Sequence, residues 1–107
     1  MYTAAFIYQA KTYDQEFFDL NQIIDEIAKA NAGFLGSESW VSSDGLSRNA
    51  TYYWANLESL QEFSKHPKHL EAKRQYQRWY KGFQVVISEV IRSYSDGTMA
   101  HHSQKVA

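Results

Sequence analysis

Over residues 2–9 the chain alternates: Tyr2, Ala4, Phe6 and Tyr8 face one way, and Thr3, Ala5, Ile7 and Gln9 the other. A period of two predicts a strand. The period then changes. Phe17, Leu20, Ile24 and Ile27 recur at three and four, which predicts a helix with one apolar stripe. Asp14 suits its N-cap, it runs to about Ala30, and Asn31-Ala32-Gly33 ends it. Residues 34–42 and 48–55 read as strands on either side of the turn sequence Ser43-Asp44-Gly45. They predict a hairpin in which Tyr52 and Trp54 share a face. Asn56 suits the cap of a short helix over residues 57–65. Pro67 lacks an N–H that a first helical position does not need, so it starts a second helix that reaches about Tyr80 and ends at Gly82. Residues 83–93 form a last strand. It is apolar on much of both faces, which predicts a central or doubly covered place.

The order β-α-β-β-α-β predicts an α+β, ferredoxin-like fold, with helices on one face of a four-stranded antiparallel sheet. The other face needs a cover. A second copy of so short a chain is the simplest one, which predicts a homodimer. The fold should occupy residues 1–94. Residues 95–107 read as a polar tail, either loose or lying on the partner subunit.

The helix after Pro67 carries the candidate chemistry. On a wheel, His69, Ala72, Tyr76 and Trp79 share one face, bordered by Tyr80. His66 belongs to the start of the helix. Three readings of His69 compete. It can be a packed histidine bonded to a backbone carbonyl, or part of a pocket wall acting as acid, base or donor. It can also be a metal ligand with His66, but no third ligand lies nearby in sequence and zinc normally takes three or four. His101-His102 in the tail offers only incidental metal affinity. Residues 65–81 also hold six lysines or arginines against Glu71, which reads as a solvated helix face or a surface that favours anions.

Composition narrows the field. The chain has 107 residues, 44% hydrophobic and 21% charged, which suits one soluble globular domain. A net charge of −1 gives no electrostatic case for nucleic acid. There is no cysteine, so disulfides, thiolate metal sites and a cysteine nucleophile are excluded, and a cytoplasmic location is compatible. No secretory leader and no bilayer-spanning run is expected. No serine–histidine–aspartate arrangement, phosphate loop or dinucleotide fingerprint is visible. Aromatics reach 16%, which suits a wide pocket, a subunit interface or a bulky core.

Several segments together resemble a known family. They are Gly33-Phe34-Leu35-Gly36-Ser37-Glu38-Ser39, Tyr52-Tyr53-Trp54, Asn56-Leu57-Glu58-Ser59-Leu60, then His69, Ala72 and Trp79-Tyr80, and finally Glu89-Val90-Ile91-Arg92-Ser93-Tyr94. Their order and spacing resemble the antibiotic biosynthesis monooxygenases of the dimeric α/β-barrel superfamily, across residues 2–94. The resemblance implies a homodimer whose sheets face each other, with a pocket in each subunit between sheet and helices. It implies cofactor-independent oxidation of aromatic polyketides or quinols, haem degradation, or no known reaction. The haem-degrading branch uses an asparagine on the first strand and a tryptophan and a histidine in the second helical region. Here the first strand has no asparagine, and the other two positions fall at Phe63 and Lys73. The expected function is therefore a cofactor-independent monooxygenase-like protein for a small phenol or quinol. His69 would move the phenolic proton, and Tyr52, Trp54, Tyr76, Trp79 and Tyr80 would enclose the ring. The alternatives are a non-catalytic module binding an aromatic ligand or haem, and a structural dimer whose pocket is filled by its own side chains.

Overall fold

The computed structural model describes residues 1–104. The chain runs β1 (Tyr2–Ala10), α1 (Gln15–Ala30), β2 (Phe34–Val41), β3 (Arg48–Trp54), α2 (Leu57–Lys65), α3 (Pro67–Arg74), α4 (Tyr76–Trp79) and β4 (Tyr80–Glu89), then a 3-10 turn (His102–Gln104). The strands form one antiparallel sheet in the order β2-β3-β1-β4. This is the expected ferredoxin-like α+β plan.

Local chemistry sets the element starts. Asp14 caps α1 by accepting from Phe17 N at 2.9 Å, and Asn56 caps α2 by accepting from Ser59 N at 2.8 Å. His66 closes α2 and opens α3, its Nδ1 accepting from Lys68 N at 3.1 Å. The core sits between helices and sheet, around the buried Ala28, Trp54, Leu60 and Phe63. Gly33 lets α2 approach β2, because a Cβ there would overlap the Ser59 side chain.

Two expectations about the second half are corrected. The helix from Pro67 does not run unbroken to Tyr80. It stops at Gln75, whose N–H bonds back to Ala72 and Lys73 carbonyls, and a separate turn, α4, follows. No glycine or proline marks the break. It is made by tertiary contacts: Lys11 N donates to the Trp79 carbonyl at 2.7 Å, and Lys11 Nζ to the Gln77 carbonyl at 2.7 Å. The last strand therefore begins at Tyr80, with Gly82 inside it. Nor is β4 central. It is an edge strand, and Phe83, Val85, Val86 and Ile87 each keep about two-fifths or more of their surface exposed. Its two-sided apolarity reflects two surroundings. Phe83, Val85 and Ile87 look toward the helices, and Val86 pairs with Ala5 on the opposite face.

That opposite face also carries Ile7 and Trp40, the latter two-thirds exposed. Within the described part of the tail, residues 101–103 lie on their own chain. His101 and His102 dock on β2 and β3. His101 Nε2 meets Glu38 Oε2 at 2.9 Å, His101 Nδ1 meets Ser103 Oγ at 2.7 Å, and His102 Nε2 meets the Ser37 carbonyl at 3.0 Å. Tyr53 donates to Glu38 Oε1 at 2.7 Å. That bond, with His101, holds the Glu38 carboxyl below its usual range, while burial and Glu38 push the Tyr53 hydroxyl up to about 12. The His102 ring lies over Gly36, which has φ +137° and no room for a side chain. Residues 105–107 of the expected tail lie outside the described residues.

Asp14 binds more than its own helix. Its Oδ1 also accepts from the Trp79 indole at 3.1 Å, and its Oδ2 from Arg78 at 2.8 Å. The Phe17 backbone bond, with these two donors, lowers its carboxyl below the ordinary aspartate range. A lowered native pKa means stability that is present above the unfolded-state pKa and lost as pH falls. Denaturant titrations should show stability falling from about pH 5 toward pH 3. In Asp14→Asn that fall should be shallower, because the Asp14 titration is gone, but not abolished, because Glu38 and Asp44 still contribute. Equal slopes would show that the charge on Asp14 is not what secures this junction.

Candidate functional site

Between the helices and the sheet lies a cavity of about 390 Å³. Its floor comes from alternate residues of three strands: Ala4 and Phe6 of β1, Tyr52 and Trp54 of β3, and Phe83, Val85 and Ile87 of β4. Its roof comes from Phe17, Leu20 and Ile24 of α1, Leu60 and Phe63 of α2, and the segment from His69 to Trp79. The half-exposed β4 residues make one side open.

All six candidate residues, Tyr52, Trp54, His69, Tyr76, Trp79 and Tyr80, line this one cavity. The break at Gln75 does not scatter the wheel's inner face. His69 and Ala72 reach the cavity from α3, and Tyr76 and Trp79 from α4. Tyr80 arrives differently. Opposite Gln9 and Ala10 the pairing skips Lys81, so Gln9 pairs with Gly82 and Ala10 with Tyr80. A regular strand would put Tyr80 and Phe83, three apart, on opposite faces. The bulge at Lys81 puts both on the cavity side. There Tyr80 packs edge-on to Phe6 at 5.3 Å and Tyr8 at 5.2 Å. A second bulge skips Leu35 in β2, so that Phe34 packs against Trp54 at 5.1 Å.

The site is apolar and chemically quiet except at two atoms. Burial raises the Tyr52 hydroxyl, and raises Tyr80 far above the ordinary tyrosine range, so both stay protonated at neutral pH. Burial also lowers His69, and the Lys73 charge adds to this, while a hydrogen-bonding contact with the Ser64 backbone, of the kind a packed histidine makes, opposes it more weakly. Neutral pH therefore leaves His69 as uncharged imidazole. Its ring packs at 4.8 Å from that of Phe63. The two atoms are His69 Nδ1 and Trp54 Nε1, buried nitrogens with no hydrogen-bond partner. Trp79 differs, since its indole N–H is committed to Asp14 and only its ring is available. His66 uses its Nδ1 as a helix cap and does not line the cavity. Among the described residues no group of three or more histidine or acidic side chains is placed to hold a metal ion.

Sequence reasoning did not single out the aliphatic and phenylalanine lining, or Asn21, Ser64 and Lys73. For Phe6, Phe83, Val85 and Ile87 the signal existed, since alternation already assigned them to one face of their strands. For Lys73 it did not, because the wheel placed it among the solvated charges.

A family model described as monooxygenase af470-like matches residues 4–91. No curated protein matches the sequence. Several solved structures share the fold. Rv0793 of Mycobacterium tuberculosis superposes with a TM-score of 0.65 at 14% identity, covering 88% of this chain and 98% of that one. SnoaB of Streptomyces nogalater, described as a cofactor-independent oxygenase, gives 0.67 at 11% identity, covering 86% and 94%. A protein of Nitrosomonas europaea, provisionally assigned as an antibiotic biosynthesis monooxygenase, gives 0.65 at 15%, covering 86% and 100%. The resemblance to antibiotic biosynthesis monooxygenases is thereby borne out, and the chain belongs to the monooxygenase af470-like family.

Proposed function

We propose that this chain is a small cofactor-independent monooxygenase for a planar, electron-rich phenol or quinol. The observation that carries the reading is the pair of unpartnered nitrogens, Trp54 Nε1 and His69 Nδ1, on residues of one aromatic cavity. A buried polar atom left unpaired costs about 1–3 kcal/mol. A ligand bearing oxygen on a flat apolar ring would remove both costs. The Trp54 N–H would donate to one oxygen, and neutral His69 would accept a phenolic proton. Tyr52, Tyr76, Trp79 and Tyr80 would enclose the ring, with the protonated Tyr80 hydroxyl as a further donor. The resulting anion, richer in electrons than the phenol, would then reduce dioxygen directly.

The purely structural alternative required a cavity filled by its own side chains, and a volume of about 390 Å³ speaks against it. A non-catalytic module for an aromatic ligand or haem keeps one observation in its favour. Among the described residues no carboxylate bonds to His69, so no acidic partner orients the proposed base.

Oxygen uptake with a panel of naphthoquinols and anthraquinols separates these readings. The monooxygenase predicts turnover that falls about 100-fold in His69→Ala, the usual size of a general-base contribution. Ligand-induced thermal stabilisation without oxygen uptake would identify the binding module instead, and neither effect would discard the aromatic-ligand reading.

The pH profile follows from the depressed His69 pKa. The base is active when unprotonated, so kcat/KM should hold steady as pH falls through 6.5 and drop only below that ordinary histidine value. An acid limb centred above 6.5 would contradict the assigned role.

We also read the assembly as a cytoplasmic homodimer, closed through the sheet face that carries Ile7, Trp40 and Val86. Sedimentation at low micromolar concentration should give about twice the 12.4 kDa chain mass. A species of 12.4 kDa alone would refute the dimer.

A further inference from the structure

The basic run over residues 65–81 has two fates in the fold. Lys68 lies 3.5 Å from Glu71, and Arg78 holds Asp14 and Glu16 at 2.8 Å each while covering the Trp79 ring at 5.0 Å. Lys65, Arg74 and Lys81 do not line the cavity. Lys73 does. It is the one charged residue in the lining, and it has no carboxylate partner among the described residues. It stands four residues after His69 on α3, on the same side of the helix, and its charge is felt at the imidazole.

Lys73 is exposed to solvent, but no protein anion in the cavity answers its charge. No aspartate or glutamate lines the cavity. Asp25 acts on the Tyr52 hydroxyl from outside the lining, but it is paired with Lys29 at 2.8 Å. A lysine can lay its methylene stem along apolar surface and keep its ammonium at the rim, with three donors free. The potential inside an apolar cleft with one cation and no anion favours negative charge. We infer that Lys73 makes the cavity selective for an anionic oxygen on the aromatic ligand. This rests on the aromatic-ligand reading above and adds the ligand's charge to it. The anion has two sources: a carboxylate already carried by the ring, or the phenolate formed when His69 takes the phenolic proton. In the second case the proton moves from the ligand oxygen to the imidazole, and the charge left on oxygen is the one Lys73 meets.

Calorimetric titration at pH 7 with 2-naphthol and 6-hydroxy-2-naphthoate tests this on wild type, Lys73→Met and Lys73→Arg. A carboxylate ligand predicts that wild type binds the acid about tenfold more tightly than the naphthol, the scale of one charge-assisted contact. The advantage should vanish in Lys73→Met and persist in Lys73→Arg. A phenolate predicts similar affinities for the two probes. Bound 2-naphthol, followed by absorbance, should then ionise at lower pH in wild type than in Lys73→Met. Equal affinities with equal ionisation overturn the inference and leave the aromatic-ligand reading standing. Failure of both probes to bind any of the three proteins overturns both.

Discussion

The Asp14 side chain is the junction on which the site depends. One carboxylate caps α1, receives the Trp79 indole and anchors Arg78. It thereby ties the beginning of the first helix to the end of the second helical region, more than sixty residues later in the chain. The Lys11 contacts to the Gln77 and Trp79 carbonyls reinforce the tie from the same loop. Without it, α4 would have little reason to leave the axis of α3. Trp79 would then carry a buried N–H with no acceptor. The cavity roof is thus set by one polar contact at its margin as well as by apolar packing within it.

Inside, burial acts on Tyr52, His69 and Tyr80 in the same sense, against charge. Tyr52 and Tyr80 keep their protons and His69 does without a second one, all for desolvation first. The result is an interior of neutral donors and acceptors, with a single cation in the lining. Such an environment gives a proton transfer no competing internal anion. It also makes any charge that develops on a ligand strongly felt by the few polar groups present.

Much of this was legible in the sequence, because period and capping are local. The change from two to three-and-four and back placed β1, β2, β3 and α1, and set the last strand about three residues late, while Asp14, Asn56 and Pro67 marked their helix starts. The inner face of the helix after Pro67 was legible too, since a wheel needs only spacing. The break at Gln75 was not, because its cause is a contact with Lys11 rather than a residue at the break. The place of β4 was missed for a related reason. Two apolar faces suggested a central strand, whereas β4 lies at the sheet edge with its inner face bordering a cavity. The docking of His101 on Glu38 lies beyond local patterns as well, since it joins residues 63 apart.

The two bulges carry a consequence for how such a chain can change in length. Each sits in an outer strand beside an aromatic residue, at Leu35 next to Phe34 and at Lys81 next to Tyr80. In each case the extra residue reverses the facing of the aromatic relative to the strand beyond it. Loss of Lys81 would restore regular alternation with Tyr80 and Phe83 two apart, so both would stay on the cavity side. A one-residue deletion elsewhere in the strand has the opposite effect, turning every residue beyond it to the other face. Length changes that spare the cavity are therefore confined to the Ser43–Gly45 turn, the segment beyond β4, and loss of the extra residue at either bulge.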